Sequence, residues 1–371
     1  MLKNCLYNGD CSESWTLRLR AGETFDFHEN CEPTQICCLA NPKYSLTPDL
    51  VLILKEFING NELNSSEMHS PKPKSESNKN IRWNTPRVIL PSDCSTELVN
   101  TRIVDGSQTE IGEFPWVALL EYESGSELKL ICGGTLISNW HVLTAAHCID
   151  EQVLKRYEYT LRSVRLGEWD TWSDPDCIKK YEPFSRSPEL KCAPKFLSVP
   201  IDRIYPHPLF NINSPPKYHD IALLQLKRPI EPNKYVRPIC LPTNDKISPW
   251  ATVIGWGRTK TSARSNKLLK VDLPLADRRK CESIYKESNV TIISSQLCFG
   301  GESSGDSCNG DSGNPLLQTD YTDANQPRVQ IVGIVSVGSR NCGTRGFAGI
   351  YTKVYDYVPW IYKQFQSGNY S

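Results

Sequence analysis

Residues 310–315 read GDSGNP, and two other short stretches, 143–148 (LTAAHC) and 219–224 (HDIALL), each carry one further reactive side chain. Acyl transfer at neutral pH needs a hydroxyl nucleophile, an imidazole to take its proton, and a carboxylate to fix the tautomer of the imidazole and stabilise its charged form. Ser312, His147 and Asp220 are of those three types, and they occur in the chain order His, Asp, Ser. Any long chain holds these residues, so the weight rests on their flanking sequence and their order.

Outward from these stretches, the chain from Ile103 onward is a succession of short β-branched and aromatic runs, at 116–120, 128–132, 221–226, 251–254 and 329–337. Turn residues interrupt them about every ten positions. That texture predicts an all-β domain, either a barrel or a pair of sandwich sheets, and closure into barrels removes exposed strand edges. Residues 354–365 (VYDYVPWIYKQF) space their apolar side chains at helical period and predict a short closing helix with Pro359 in its first turn.

The whole chain has 371 residues, with 42 basic and 42 acidic side chains and no basic run, which excludes nucleic acid as a partner. Apolar runs such as 50–54 (LVLIL) fall far short of the roughly 20 residues that span a bilayer, so no membrane partner is expected. Fifteen cysteines, with no Cys/His cluster at zinc-finger spacing, predict disulfides and a secreted, extracellular chain. The opening MLKNC lacks the charged, apolar and small-residue succession of a signal peptide. Cys5, Cys11, Cys31, Cys37 and Cys38 predict a small disulfide-knit module over residues 1–40, because so short a segment rarely folds without a staple. Residues 41–93 read as a linker, since 59–84 are rich in Asn, Ser, Lys, Glu and Pro; within it, 50–57 (LVLILKEF) could form a helical turn or two.

The three reactive stretches resemble those of the trypsin-like, chymotrypsin-fold serine proteases, and the resemblance covers residues 103–365. It implies two six-stranded antiparallel β-barrels with a C-terminal helix and a site between the barrels. It further implies that Ser312 attacks the scissile carbonyl, His147 shuttles the proton, Asp220 orients His147, and the N–H groups of Gly310 and Ser312 form an oxyanion hole. Asp306 falls where the family has the base of its primary pocket, which implies pairing with Arg or Lys of a substrate. Gly338 and Gly349 match the pocket walls, and Val337 stands where a Trp is common. Where the family pattern reads GDSGGP this chain has Asn314, and Asn is the side-chain-bearing residue best suited to a backbone that needs φ > 0.

Residues 102–106 (RIVDG), followed by Phe114-Pro115-Trp116, resemble the family's activation site. Cleavage after Arg102 would free the Ile103 amine, which the resemblance buries against Asp311 to complete the oxyanion hole and pocket. Residues 94–102 then end a light chain, and 103–371 form the protease domain. The resemblance pairs Cys132 with Cys148, Cys281 with Cys298, Cys308 with Cys342, and Cys94 with Cys240, the last tethering the light chain. A Cys177–Cys192 pair is similar to the additional loop disulfide of arthropod clip-domain proteases. The remaining five cysteines resemble a clip domain, which has six and ends in an adjacent pair, here Cys37-Cys38; either the third of the pattern is absent between Cys11 and Cys31, or, as one change explaining both absences, a natural start ahead of residue 1 would supply the sixth and a signal peptide.

Residues 168–176 (EWDTWSDPD) are acidic enough for calcium, which takes six or more oxygens. By resemblance Glu168 and Asp176 would contribute side chains, and Asp170 and Ser173 carbonyls; calcium is expected to be structural, and no cofactor is required for the chemistry. Asn64, Asn289 and Asn369 each open a glycosylation sequon. These readings converge on a secreted clip-domain serine endopeptidase zymogen that cuts protein substrates after Arg or Lys. Its expected place is an extracellular cascade of immunity or patterning. Its expected partners are an upstream trypsin-like activator, zymogens or a cytokine precursor as substrates, and a serpin-type inhibitor. A weakly active or noncatalytic homologue serving as a cascade cofactor is the alternative, and a digestive trypsin fits poorly with the clip-like module and linker.

Overall fold

The computed structural model describes residues 15–18, 24–27, 94, 106–180, 188–214, 217–259, 262, 264–287, 289–301, 310–322, 327–338, 344 and 346–367. The chain divides into two units, Met1–Arg82 and Trp83–Ser371. In the first, the described residues form one antiparallel hairpin of β1 (Trp15–Arg18) and β2 (Thr24–Phe27), in register from Trp15↔Phe27 to Arg18↔Thr24. The five clip-like cysteines and the linker segment 50–57 lie outside the described residues.

Among the described residues the first strand of the second unit is the short β3 (Ser107–Gln108). Six strands then close into a barrel: β4 (Val117–Ser124), β5 (Glu127–Ser138), β6 (His141–Thr144), β7 (Thr160–Leu166), β10 (Leu197–Pro206) and β11 (Ala222–Leu226). The circuit runs β10-β11-β6-β5-β4-β7, and the pairs Leu197↔Leu166 to Pro200↔Ser163 close it. Closure fits the sequence, because β11 (ALLQL) and β6 (HVLT) are buried at every position, as strands covered on both faces must be. Leu119, Leu120, Leu136, Ile137, Leu143 and Leu166 are completely buried there, each worth about 1.5–3 kcal/mol against exposure. Between β7 and β10, β8 (Cys177–Lys180) and β9 (Glu189–Cys192) form a separate two-stranded hairpin.

Strands β12 (Trp250–Gly255), β13 (Leu269–Pro274), β14 (Gln296–Phe299), β15 (Pro315–Asp320), β16 (Arg328–Val337) and β17 (Gly349–Lys353) build the second sheet, in the order β14-β17-β16-β15-β12-β13 with β3 on its edge. A second full barrel was expected. Among the described residues its ends meet through one bridge, Leu275↔Phe299, flanked by bonds from Ala276 N to Cys298 O (3.0 Å) and from Gly300 N to Pro274 O (2.8 Å). The first barrel is thus laddered all round, and the second is pinned shut at one corner.

One core runs through both halves, from Trp116 and Leu119 in the first barrel to Ile254, Trp256, Leu317 and Ile334 in the second. Helix α1 (Glu151–Arg156) is capped by the Asp150 carboxylate, and α2 (Arg278–Lys286) by Asp277. A 3-10 turn, Val354–Tyr357, leads into α3 (Val358–Ser367), where Pro359 sits in the first turn and costs no helix bond. Helix α3 lays Ile361 and Phe365 into the shared core. Disulfides join Cys94–Cys240, Cys132–Cys148, Cys177–Cys192 and Cys281–Cys298; the expected Cys308–Cys342 pair lies outside the described residues.

Candidate active site

Strands β6 and β11 pair antiparallel with Thr144 opposite Ala222, so the end of one lies beside the start of the other. His147 follows β6 by three residues in the 3-10 turn Ala146–Cys148, and Asp220 precedes β11 by two. The register alone therefore brings the two side chains together. Asp220 Oδ2 lies 2.7 Å from His147 Nδ1, and Oδ1 accepts the His147 backbone N–H at 2.9 Å. The carboxylate holds His147 by two bonds, one to its backbone and one to its ring; the ring bond puts the proton on Nδ1 and leaves Nε2 to act as a base.

Asp220 is 0 % exposed. Burial pushes its pKa up, but the neighbouring His147, Lys217 and the Ser336 hydroxyl outweigh burial and hold the carboxyl below its ordinary value. Ser336 Oγ donates to Oδ2, and Thr352 Oγ1 donates to the Asp220 carbonyl at 2.9 Å. The first barrel thus supplies the His147–Asp220 pair, and β16 and β17 of the second sheet steady it. Behind it, His219 adopts φ 55, stacks on His207 with ring centroids 5.0 Å apart, and places Nδ1 3.0 Å from the Tyr357 hydroxyl. Ser336 stands two positions before Gly338, the expected pocket wall, and carried no signal of this role in the sequence. Thr352, Lys217 and Tyr357 carried no signal there, since no local motif marks a residue that acts from another strand or helix.

Ser312 lies on the turn before β15, where Gly310 (φ 97) and Gly313 (φ 82) take the left-handed backbone. Its carbonyl accepts from Gly133 N (2.8 Å) on β5, while Gly313 N donates to Val335 O (3.0 Å) on β16. The turn is therefore fastened to both halves, next to Cys132 on one side and Ser336 on the other. Among the described residues the N–H groups of Gly310 and Ser312 have no backbone acceptor, as an oxyanion hole requires. No described hydrogen bond joins the Ser312 hydroxyl to His147, whose Nε2 has the Cys148 sulfur at 3.8 Å. That sulfur and Cys132 Sγ are in a disulfide, so they offer no thiolate to a metal.

Asn314 corrects one expectation. The left-handed backbone falls on Gly310 and Gly313, and Asn314 is not among the residues with positive φ. Its peculiarity is its side chain, which is 0 % exposed with neither Oδ1 nor Nδ2 hydrogen-bonded. The amide lies against two bare glycines. A Cβ on Gly133 would fall 1.7 Å from Oδ1, and one on Gly255 would fall 2.4 Å from Nδ2 and 2.0 Å from Asp311 Oδ1. An orphaned buried polar group costs about 1–3 kcal/mol. Asp311 itself accepts from Gly257 N at 2.8 Å. Nearby, Arg264 donates through Nη1 to Leu130 O and buries Nε and Nη2 without a partner; burial lowers its pKa, while the Asp311 charge opposes that shift.

The pairing of Val337 with Ile350 brings Gly338 and Gly349 to the same end of β16 and β17. Asp306, Arg102 and Ile103 lie outside the described residues. In the acidic loop, Glu168 Oε1 and Asp176 Oδ2 converge on the N–H of Trp169, each at 3.0 Å. Asp176 also accepts from Asp170 N (3.0 Å) and from Ser173 Oγ (2.5 Å), and Arg165 Nη1 donates to Glu168 Oε2 at 2.9 Å. Burial and the nearby Asp176 charge raise the Glu168 pKa, and Arg165 opposes them. Two carboxylates crowded onto one amide suit a divalent cation, which would relieve their repulsion.

Residues 103–183 and 193–361 match the family described as Trypsin. The chain is 37 % identical over 361 residues to Phenoloxidase-activating factor 1 of Holotrichia diomphalia, with 94 % of each chain covered. It is 35 % identical over 350 residues to CLIP domain-containing serine protease HP8 of Bombyx mori, with 90 % of each covered. The crystal structure of the Drosophila Grass clip serine protease of the Toll pathway superposes with a TM-score of 0.63 at 34 % identity, over 75 % of either chain. A carboxylate-held histidine beside a serine turn, on this fold and with these relatives, leads to one assignment: the chain is a trypsin-like serine endopeptidase and belongs to the clip-domain serine proteases of arthropods.

Proposed function

We propose that the chain is a secreted zymogen, activated by cleavage after Arg102, that cuts protein substrates after Arg or Lys in an extracellular immune cascade. The observation that carries the chemistry is the double grip of Asp220 on His147, beside a turn whose Gly310 and Ser312 amides have no backbone acceptor among the described residues. Ser312 Oγ attacks the scissile carbonyl as His147 Nε2 takes its proton. The tetrahedral oxyanion is held by the two amides and collapses as His147 returns the proton to the leaving amine. Water then repeats the sequence on the acyl-enzyme. The carboxylate of Asp306 would select a basic side chain.

Relatives named for phenoloxidase activation and the Toll pathway support a cascade role. In that role the substrates would be zymogens or a cytokine precursor, with a trypsin-like activator upstream; a serpin-type inhibitor completes the proposal. The crowded Asn314 amide favours a second reading, a homologue of low activity that serves as a cofactor. Hydrolysis of an arginyl peptide amide before and after cleavage at Arg102, beside Ser312→Ala, decides between them. Turnover that appears only on cleavage, and is absent from the variant, is expected. Clean cleavage without turnover would favour the cofactor.

Calcium in the acidic loop is part of the same proposal, held by the side chains of Glu168 and Asp176 and the carbonyls of Asp170 and Ser173. When bound it supplies positive charge between the converging carboxylates, and it takes no part in the chemistry. A chelator is expected to lower the thermal midpoint by several degrees; an unchanged midpoint would remove calcium from the account.

A further inference from the structure

Residues 289–291 (NVT) form one of three glycosylation sequons; the other two, at Asn64 and Asn369, lie outside the described residues. The segment follows α2, where Asn289 N donates to Lys286 O (2.9 Å) and Val290 N to Tyr285 O (3.0 Å). Asn289 takes a left-handed backbone, φ 57, which Asn tolerates better than most side-chain-bearing residues. Exposure then alternates, since Asn289 and Thr291 are exposed, Val290 is half-buried and Ile292 is buried. The acceptor residue and the hydroxyl residue of the sequon are therefore open to solvent, and the residue between them is anchored. The anchor lies beside the expected pocket. Ile292 shares a small core with Cys298, Ala348 and Ile350, against which Val290 and Val337 pack. Tyr285 donates its hydroxyl to Ala348 O (2.7 Å), next to the wall residue Gly349, and Val337 precedes the other wall residue, Gly338. On the opposite side Tyr218, two residues before Asp220, donates its hydroxyl to Thr291 O at 2.8 Å. The sequon is thus tied both to the strands that carry the pocket walls and to the loop that carries Asp220.

We propose that Asn289 carries an N-linked glycan that stands beside the mouth of the primary pocket and slows large partners while small substrates pass. The modification rests on the reading of the chain as secreted, and the gate on the reading of Ser312 as the nucleophile. The Cys281–Cys298 disulfide beneath the sequon supports the first, because the oxidising lumen that forms such bonds is also where Asn-linked sugars are attached. In the transfer, Asn289 Nδ2 bonds to the anomeric carbon of a lipid-diphosphate-linked oligosaccharide. The bond from that carbon to the diphosphate breaks, the lipid diphosphate leaves, and the amide gives up one proton. The glycan is bulky and hydrated, so it sweeps the space above its root without touching a residue seated in the pocket. A short peptide amide passes under it, whereas a folded protein must displace it to dock, and the cost falls on association.

Occupancy is read first, by peptide mapping of the full chain secreted from cultured cells, before and after a peptide N-glycosidase that leaves aspartate where a glycan stood. Asn289 is expected to be occupied; an unmodified Asn289 in the secreted chain overturns the proposal. The gate is read on the cleaved enzyme in four forms: the parent, the parent stripped of glycan, Thr291→Ala, and Asn289→Gly, which keeps the left-handed backbone at no steric cost. Each is assayed on an arginyl peptide amide and with a Kunitz-type protein inhibitor that has arginine at its reactive site. Loss of the glycan should leave kcat/KM for the amide unchanged and raise the association rate of the inhibitor about tenfold. Thr291→Ser, which keeps the sequon, should return the rate of the parent. An inhibitor rate unchanged by stripping, or a gain that Thr291→Ser shares, overturns the gate. A cleaved parent with no turnover of the amide overturns the protease reading and the gate with it, while the occupancy of Asn289 is settled before cleavage and is independent of that result.

Discussion

At the scale of the residue, the histidines behind the site set the acid limit of stability. His207 and His141 are buried, and burial pushes the pKa of each down to about 3, helped at His207 by the neighbouring His219. A histidine with a folded pKa below its ordinary value of about 6.5 stabilises the fold fully above that value, and the contribution is lost as pH falls toward 3, because the unfolded chain binds the proton more readily. Asp220 acts lower on the same scale, since its depressed pKa makes its contribution vanish only below the ordinary carboxylate range. Acid unfolding should therefore start with the histidines. His207→Phe, which keeps an aromatic ring against Tyr357 and Trp360, should lose measurably less stability between pH 7 and pH 4 than the parent in urea titrations. An equal loss would move the acid sensitivity elsewhere. Ser312, His147 and Asp220 were legible because short flanking patterns announce each of them. The crowding at Asn314 was not, since it depends on Gly133 and Gly255, which arrive from other strands.

At the scale of the element, strands were legible wherever burial is one-sided or complete, as in β4, β11, β12 and β16. The closing helix was legible from the spacing of Val354, Tyr357, Ile361 and Phe365, the side chains it does bury. What the sequence concealed was register. The pairing of Thr144 with Ala222, which delivers His147 to Asp220, and the single bridge that shuts the second sheet are made between segments far apart in the chain. Helix α3 belongs to the core of the whole unit, with the Phe365 ring tilted against His141 on β6, centroids 4.5 Å apart. Phe365→Ala should cost about 3–5 kcal/mol, read from the shift in denaturation midpoint at constant slope. A cost below about 1 kcal/mol would make the helix an appendage.

At the scale of the molecule, the Cys94–Cys240 bond spans the expected cleavage site, so a cut after Arg102 should leave two chains joined by one disulfide. Cleaved protein should run as one band until reduced, and Cys94→Ser should release the light chain on cleavage; a single cleaved band that survives reduction would mean that the cut lies elsewhere. The sequence changes texture from a cysteine cluster through a polar stretch to β-rich sequence, and the two compact units part at Arg82–Trp83, inside the stretch 41–93 that reads as a linker. The closure of the first barrel and the pinning of the second were visible only as a class of fold. One bond gathers these scales. Because Gly133 of one half holds the carbonyl of Ser312 in the other, the proposed nucleophile works as a clasp shared between two bodies. Slippage at the seam would open the clasp while both bodies kept their spectra, so falling turnover should report mechanical loosening of the pair ahead of any melting signal.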